Sequence, residues 1–131
     1  MIIDDQLLDA LSEKAKATPR LRMNFDLRNA ESDQSQRMHN AIEPGSLIPV
    51  HRQNKTSETR AILRGLLKGV LYDISGLVVI EEVILDPSGP VFAMSVPKGQ
   101  WHTWISLASG TVILEMKDGP YEPLGPDEIM E

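Results

Sequence analysis

The chain contains no cysteine. Disulfides, thiolate nucleophiles and cysteine-ligated zinc are excluded together, although the compartment does not follow from that alone. It also lacks any apolar run near the ~20 residues that a membrane-spanning helix needs. Its opening, "MIIDDQLLDALSEK", carries acid early and no basic stretch ahead of the apolar residues, unlike a secretory leader. A cytoplasmic protein without membrane contact is the expectation. An excess of positive charge is missing too, since 13 Lys and Arg stand against 19 Asp and Glu for a formal net charge of −6. Nonspecific nucleic-acid binding needs a basic face to neutralise phosphates, so that class is set aside. The basic residues are uneven, running from Arg20 to Lys68 in the first half, whereas the C-terminal end is acidic. They form either an ordinary solvated surface or the lining of a pocket for an anionic substrate.

What is present suits one folded domain. A length of 131 residues with 41% apolar content can bury a real core. In "IIDDQLLDALSEKAKATP" the residues Ile3, Leu7, Leu8, Leu11 and Ala15 recur at helical spacing. Asp4 or Asp5 can cap this helix, lysines sit in its last turn and Pro19 stops it. Residues 1–20 are thus expected as a helix packed on a body formed by residues 21–131. From about residue 36 the pattern becomes short strands divided by turns: "QRMHNAIE", "SLIPVHR", "ETRAILR", "LLKGVLYD", "LVVIEEVIL", "VFAMSV", "WHTWISLA" and "TVILEM". About eight strands at this spacing, with no βαβ alternation and no internal repeat, predict an all-β antiparallel jelly roll behind one N-terminal helix. The Pro- and Gly-rich acidic tail "GPYEPLGPDEIME" is expected to run over the surface.

Two stretches carry chemistry. In "PVHRQNKTSETRAILRG", residues two apart on a strand face the same side, so His51 and Gln53 point together. The turn "NKTS" reverses the chain, and Glu58 opens the returning strand. In "VPKGQWHTWIS", Pro97 and Gly99 shape a turn before His102. If the sheets close on each other, His102 completes a cluster with His51, Gln53 and Glu58. A lone histidine on a strand is more often structural; the joint spacing is what singles these out. Two histidines and a carboxylate suit a divalent metal such as Zn, Fe, Ni, Mn or Co, with Gln53 adding a neutral oxygen. His39 shares a strand face with Arg37 and Ala41 and is read as a non-ligand.

This pair of stretches resembles the two motifs of the cupin superfamily. Gly45, His51, Glu58 and Gly65 match the first, with Gln53 in place of its second histidine. Gly89, Pro97, Gly99 and His102 match the second, with Ser106 in place of its final asparagine. The wording "NAIEPGSLIPVHR", "KTSET", "PKGQWHT" and "LEMKDGPYEP" is most similar to the WbuC family of small cupin-fold metalloproteins. That resemblance implies a cupin double-stranded β-helix, a homodimer and a metal at His51, Gln53, Glu58 and His102. It implies a loose link to surface-polysaccharide or nucleotide-sugar metabolism. Asn24, Arg28, Gln36, Arg37 and Asn40 lie in the polar region it covers and are candidates to orient a small-molecule ligand. Glu115 is a candidate general base if its strand face is interior. Trp104 is expected in the pocket wall and Tyr121 over the pocket mouth. Whether such a protein is an isomerase, a dioxygenase or a metal-independent binder is left open.

Overall fold

Alternating burial along short segments builds two antiparallel sheets in the computed structural model, which describes residues 1–130. The strands are β1 (Arg22–Asp26), β2 (Ser35–Ile42), β3 (Glu58–Arg64), β4 (Leu67–Tyr72), β5 (Val79–Leu85), β6 (Ala93–Val96), β7 (His102–Ser106) and β8 (Thr111–Asp118). One sheet runs β1-β2-β8-β3-β6 and the other β5-β4-β7. The neighbours β2, β8 and β3 are distant in sequence, which is the crossover pattern of a jelly roll. Ile42, Ile62, Leu67, Leu85, Val96, Trp104 and Ile113 fill the space between the sheets.

The helix α1 (Asp5–Ala17) starts where the Asp4 carboxylate accepts the Leu7 N–H at 3.0 Å. Such a cap contributes about 1 kcal/mol. Thr18 turns extended ahead of Pro19, and the helix ends. Leu8, Leu11 and Ala15 bury against Ala41 and Val112, so the helix covers the outer face of the larger sheet. Each leucine contributes roughly 2 kcal/mol by that burial. Ile3, expected in the stripe, lies before the helix and is exposed.

Period-two alternation on β2 then decides what faces the interior. Gln36, Met38, Asn40 and Ile42 line a cavity between the sheets, while Ala41 packs under α1 and His39 against Phe25. On β3 and β8 the inward residues are Glu58 and Arg60, and Glu115 and Lys117. The register sets Arg60 directly opposite Glu115.

Two expectations need correction. "SLIPVHR" is not a strand: Pro49 has no N–H to offer a ladder, and only His51 makes isolated bridges, to His102 and Ile129. The eighth strand is instead β1, which pairs with β2 from Arg22↔Ile42 to Asp26↔Met38. The tail runs over the surface, none of its described residues being buried, and it is tied down there. Glu128 accepts the Arg52 N–H at 2.9 Å through its carbonyl, and Met130 donates to the Val50 carbonyl at 2.9 Å. Those bonds anchor the segment that carries His51. Gly65 shows why the first stretch ends where it does: at φ +82°, a Cβ would lie 2.3 Å from Thr111 Oγ1.

Candidate metal centre

Glu58 and His102 are the first residues of β3 and β7, so rigid sheet positions both. His51 comes from irregular chain, yet it is held as firmly. Its N–H donates to the His102 carbonyl at 2.9 Å and its carbonyl accepts the His102 N–H at 2.8 Å. One donor atom from each of His51, Glu58 and His102 lies within 4.8 Å of the others, and all three residues are buried. The imidazole centroids are 4.3 Å apart.

The donor chemistry fits a cation. His51 Nδ1 lies 2.8 Å from the Pro49 carbonyl, and His102 Nδ1 lies 2.8 Å from the Gln100 carbonyl. Carbonyls only accept, so each Nδ1 carries the proton and each Nε2 is left with its lone pair inward. His102 Nε2 is also 2.9 Å from Glu58 Oε1. An imidazole with acceptors at both nitrogens must be doubly protonated or share its lone pair and the carboxylate with a cation. His51 is kept neutral, its pKa pushed down to about 4 by burial first and by its neighbour His102 second. For Glu58, burial would raise the pKa, but Arg60 and then His102 outweigh it and hold the carboxyl down to about 2. Neutral imidazole beside an ionised carboxylate is the state a divalent metal requires.

A cavity of about 270 Å³ opens beside the cluster and is lined by His51, Gln53 and Glu58 among others. Gln53 reaches it, with Oε1 accepting from Lys117 Nζ at 3.4 Å. Asn24, Asn40, Glu115 and Tyr121 also line it. Glu115 Oε1 accepts from Arg60 at 2.7 Å and Oε2 from Gln36 at 2.7 Å, which leaves one lone pair on each oxygen for other partners.

Other candidates fall elsewhere. Arg28 is not among the lining residues; it pairs with Asp26 at 2.7 Å and lies 5.9 Å from the Tyr121 ring. Arg37 is turned by strand alternation to the face opposite Asn40 and pairs with Asp33 at 3.2 Å. Trp104 belongs to the core and not to the cavity wall, because its row on β7 points between the sheets; it is 1% exposed. It meets the site through the His102 ring edge at 5.8 Å and through the Arg60 guanidinium at 4.7 Å. Ser106 commits its hydroxyl to the Ala108 carbonyl at 3.0 Å.

Arg60 is the residue that the reading of the sequence passed over. It stands 3.6 Å from Glu58 and 2.7 Å from Glu115, bridging the two carboxylates across the sheet. The signal was available, since a residue two positions after Glu58 on a strand shares its face.

A two-sheet antiparallel jelly roll with one helix, its inner face presenting two histidines and a glutamate, is a cupin fold. The chain belongs to the family described as Domain of unknown function (DUF6016), whose model matches residues 3–85. That span includes His51, Gln53 and Glu58 and stops before His102. No curated protein matches the chain in sequence. Among solved structures, the chain is similar to TT1209 from Thermus thermophilus, with 21% identity, a TM-score of 0.61, and coverage of 91% of this chain and 98% of that one. KdgF from Halomonas sp. is 11% identical with a TM-score of 0.62, over 80% of this chain and 85% of that one. The capsular polysaccharide assembling protein CapF from Staphylococcus aureus is 16% identical with a TM-score of 0.61, over 80% of this chain but only 33% of that one. These likenesses show the fold.

Proposed function

We propose that this protein is a small cupin metalloprotein of the WbuC type, which holds a divalent metal through His51, Glu58 and His102 and takes a small polar ligand in the adjoining cavity. The observation that carries this reading is His102, set between the Gln100 carbonyl at 2.8 Å and the Glu58 carboxylate at 2.9 Å with the His51 ring alongside. A bound metal would supply Lewis acidity toward a ligand carbonyl or hydroxyl. The chain's own residues do the rest: Arg60 and Gln36 orient Glu115, and Asn24 and Asn40 offer amides to the ligand. A role in surface-polysaccharide or nucleotide-sugar metabolism is part of the proposal and rests on the family resemblance of the motifs.

Metal analysis of untagged protein tests it. The expected result is a stoichiometric divalent ion, lost in His51→Ala and His102→Ala, with a melting temperature that falls under chelator. Gln53→His should bind metal more tightly by replacing a weak oxygen with imidazole. Equal affinity before and after would mean that residue 53 does not reach the ion. The Gln53–Lys117 contact favours one second reading, a metal-independent binder with a degenerate site. No stoichiometric metal, together with a melting temperature indifferent to chelator, would select it.

A further inference from the structure

The hairpin between β4 and β5 holds apolar side chains in water. Ile74 is 95% exposed and Leu77 74%, with Val78, Val79 and Ile80 exposed beside them. The connection is not slack. The Asp73 N–H donates to the Val78 carbonyl at 2.8 Å, and the Asp73 carboxylate accepts the Ser75 N–H at 3.2 Å and the Val78 N–H at 3.3 Å. Gly76, at φ +74°, lies so close to its backing that a Cβ would stand 3.1 Å from Met130 Sδ and 3.3 Å from the Trp101 ring. A bulge in β5 adds to the display: Glu81 opposes Leu71 and Val79 opposes Tyr72, which leaves Ile80 outside the regular alternation. Single exposed apolar residues are ordinary, but five within one short hairpin form a patch.

A groove of about 260 Å³ adjoins this patch, lined by Tyr72, Ile74, Ile80, Pro97, Gln100 and Trp101 among others. Its floor is fixed, because Gln100 Nε2 donates to the Tyr72 carbonyl at 2.6 Å and the Tyr72 N–H donates to the Trp101 carbonyl at 2.9 Å. Ile74 stands on the rim of the groove itself. A knob and a groove side by side on one chain are what a two-fold contact between identical copies requires, each knob entering the other's groove. The five apolar residues offer an area on the order of 600 Å², so a contact covering it on both copies buries about 1,200 Å², where stable interfaces begin. Strand-on-strand pairing along β5 is opposed by the bulge and by the adjacent acids Glu81 and Glu82, which leaves the contact to side chains. Those acids, with Asp73, also oppose docking on an anionic lipid surface.

The geometry points to the β4–β5 hairpin as an interface with a second copy of this chain. A two-fold axis passes beside Ile74 and seats that side chain of each copy in the groove between Tyr72 and the 97–101 turn of the other. Leu77, Val78 and Val79 close over the margin of the contact. Knob and groove are both preformed, so little conformational freedom is lost when they meet. His51, Glu58 and His102 take no part, and the inference stands apart from the proposed function.

Sedimentation equilibrium of the untagged protein, from micromolar to submillimolar concentration, tests it. A reversible dimer is expected. Ile74→Asp/Leu77→Asp should weaken it tenfold or more with an unchanged circular-dichroism spectrum, since both side chains stand in water in the single copy. Leu47→Asp, exposed but outside the hairpin, should leave the dissociation constant unchanged. Because the chain holds no cysteine, Ile74→Cys supplies a single thiol, which a short bismaleimide should join to its counterpart in the other copy. Leu47→Cys should stay unjoined. Where the charged variant fails to fold, the thiol pair decides alone. A monomer at every concentration, a folded Ile74→Asp/Leu77→Asp that dimerises as before, or cross-linking no better at position 74 than at position 47 overturns the inference. So does a monomer that floats with neutral phosphatidylcholine vesicles, which would give the hairpin to a lipid surface.

Discussion

Removing the Arg60 guanidinium should be the costliest single change in the cavity wall. Its Nη2 is 2.7 Å from Glu115, its Nε is 3.6 Å from Glu58, and its Cζ lies 4.7 Å from the centre of the Trp104 ring. In Arg60→Met, the carboxylates of Glu58 and Glu115, 2% and 7% exposed, lose their shared cation. Breaking a buried pair from one side costs ~3–5 kcal/mol, and the lost cation–π contact adds about 1 kcal/mol. Against a domain stability of ~5–15 kcal/mol, that is a fall in melting temperature on the order of 10 °C or more. Urea denaturation followed by tryptophan fluorescence, in the presence of chelator, measures it. Arg60→Met/Glu115→Leu should recover at least ~2 kcal/mol over the single variant, because two apolar replacements leave no orphaned charge at that pair. Added divalent metal should shrink the cost of the single variant by giving Glu58 another counter-charge. A single-variant cost below ~1 kcal/mol, or a double variant no better than the single, would refute the view that Arg60 neutralises both acids.

In chelated protein, stability should fall with acid through His51. Its folded pKa of about 4 lies below the ordinary ~6.5, so its contribution is complete above that value and is lost as pH drops toward 4. The loss amounts to about 3 kcal/mol. Glu58, held down to about 2, adds a loss of the same sign once pH falls below the ordinary ~4.3 of a free glutamate. Urea midpoints between pH 7 and pH 4.5 check this, and an unchanged slope in His51→Asn would contradict it. Gly65→Ala should cost at least ~2 kcal/mol, since its Cβ would meet the Thr111 backbone at 2.5 Å as well as the hydroxyl. Gly110→Ala, at a similar φ of +81° but with nothing within 4 Å, should cost only the backbone strain of ~1 kcal/mol. Equal melting temperatures for the two variants would show that the close approach at Gly65 is not felt.

The elements whose residues alternate cleanly between turns were legible in advance: β2, β3, β4, β7 and β8 lie where their apolar rows predict, and α1 where its stripe does. β1 was not. "RMNFD" alternates too, but it is only five residues long and directly follows the helix stop, and it becomes a strand because β2 offers it an edge. "SLIPVHR" misled in the opposite direction, since it is as apolar as a buried strand but Pro49 cannot donate to a ladder. Among the polar candidates, one-residue offsets mattered most. Asn40 and Arg37 were considered together, yet an odd offset along the strand puts them on opposite faces of β2.

Local order and periodicity alone were enough to specify an antiparallel all-β body, a capped helix, and two turns that present Glu58 and His102 at the starts of strands. Those properties depend on neighbours close along the chain. Which side chains share a cation is a different kind of fact. Arg60 faces Glu115 only because β3 and β8, far apart in sequence, pair in one register, and Asn40 and Glu115 line one cavity only because β2 and β8 pair in the same sheet. Long-range pairing is settled by the burial of both inner faces at once, and no short stretch of residues contains that information.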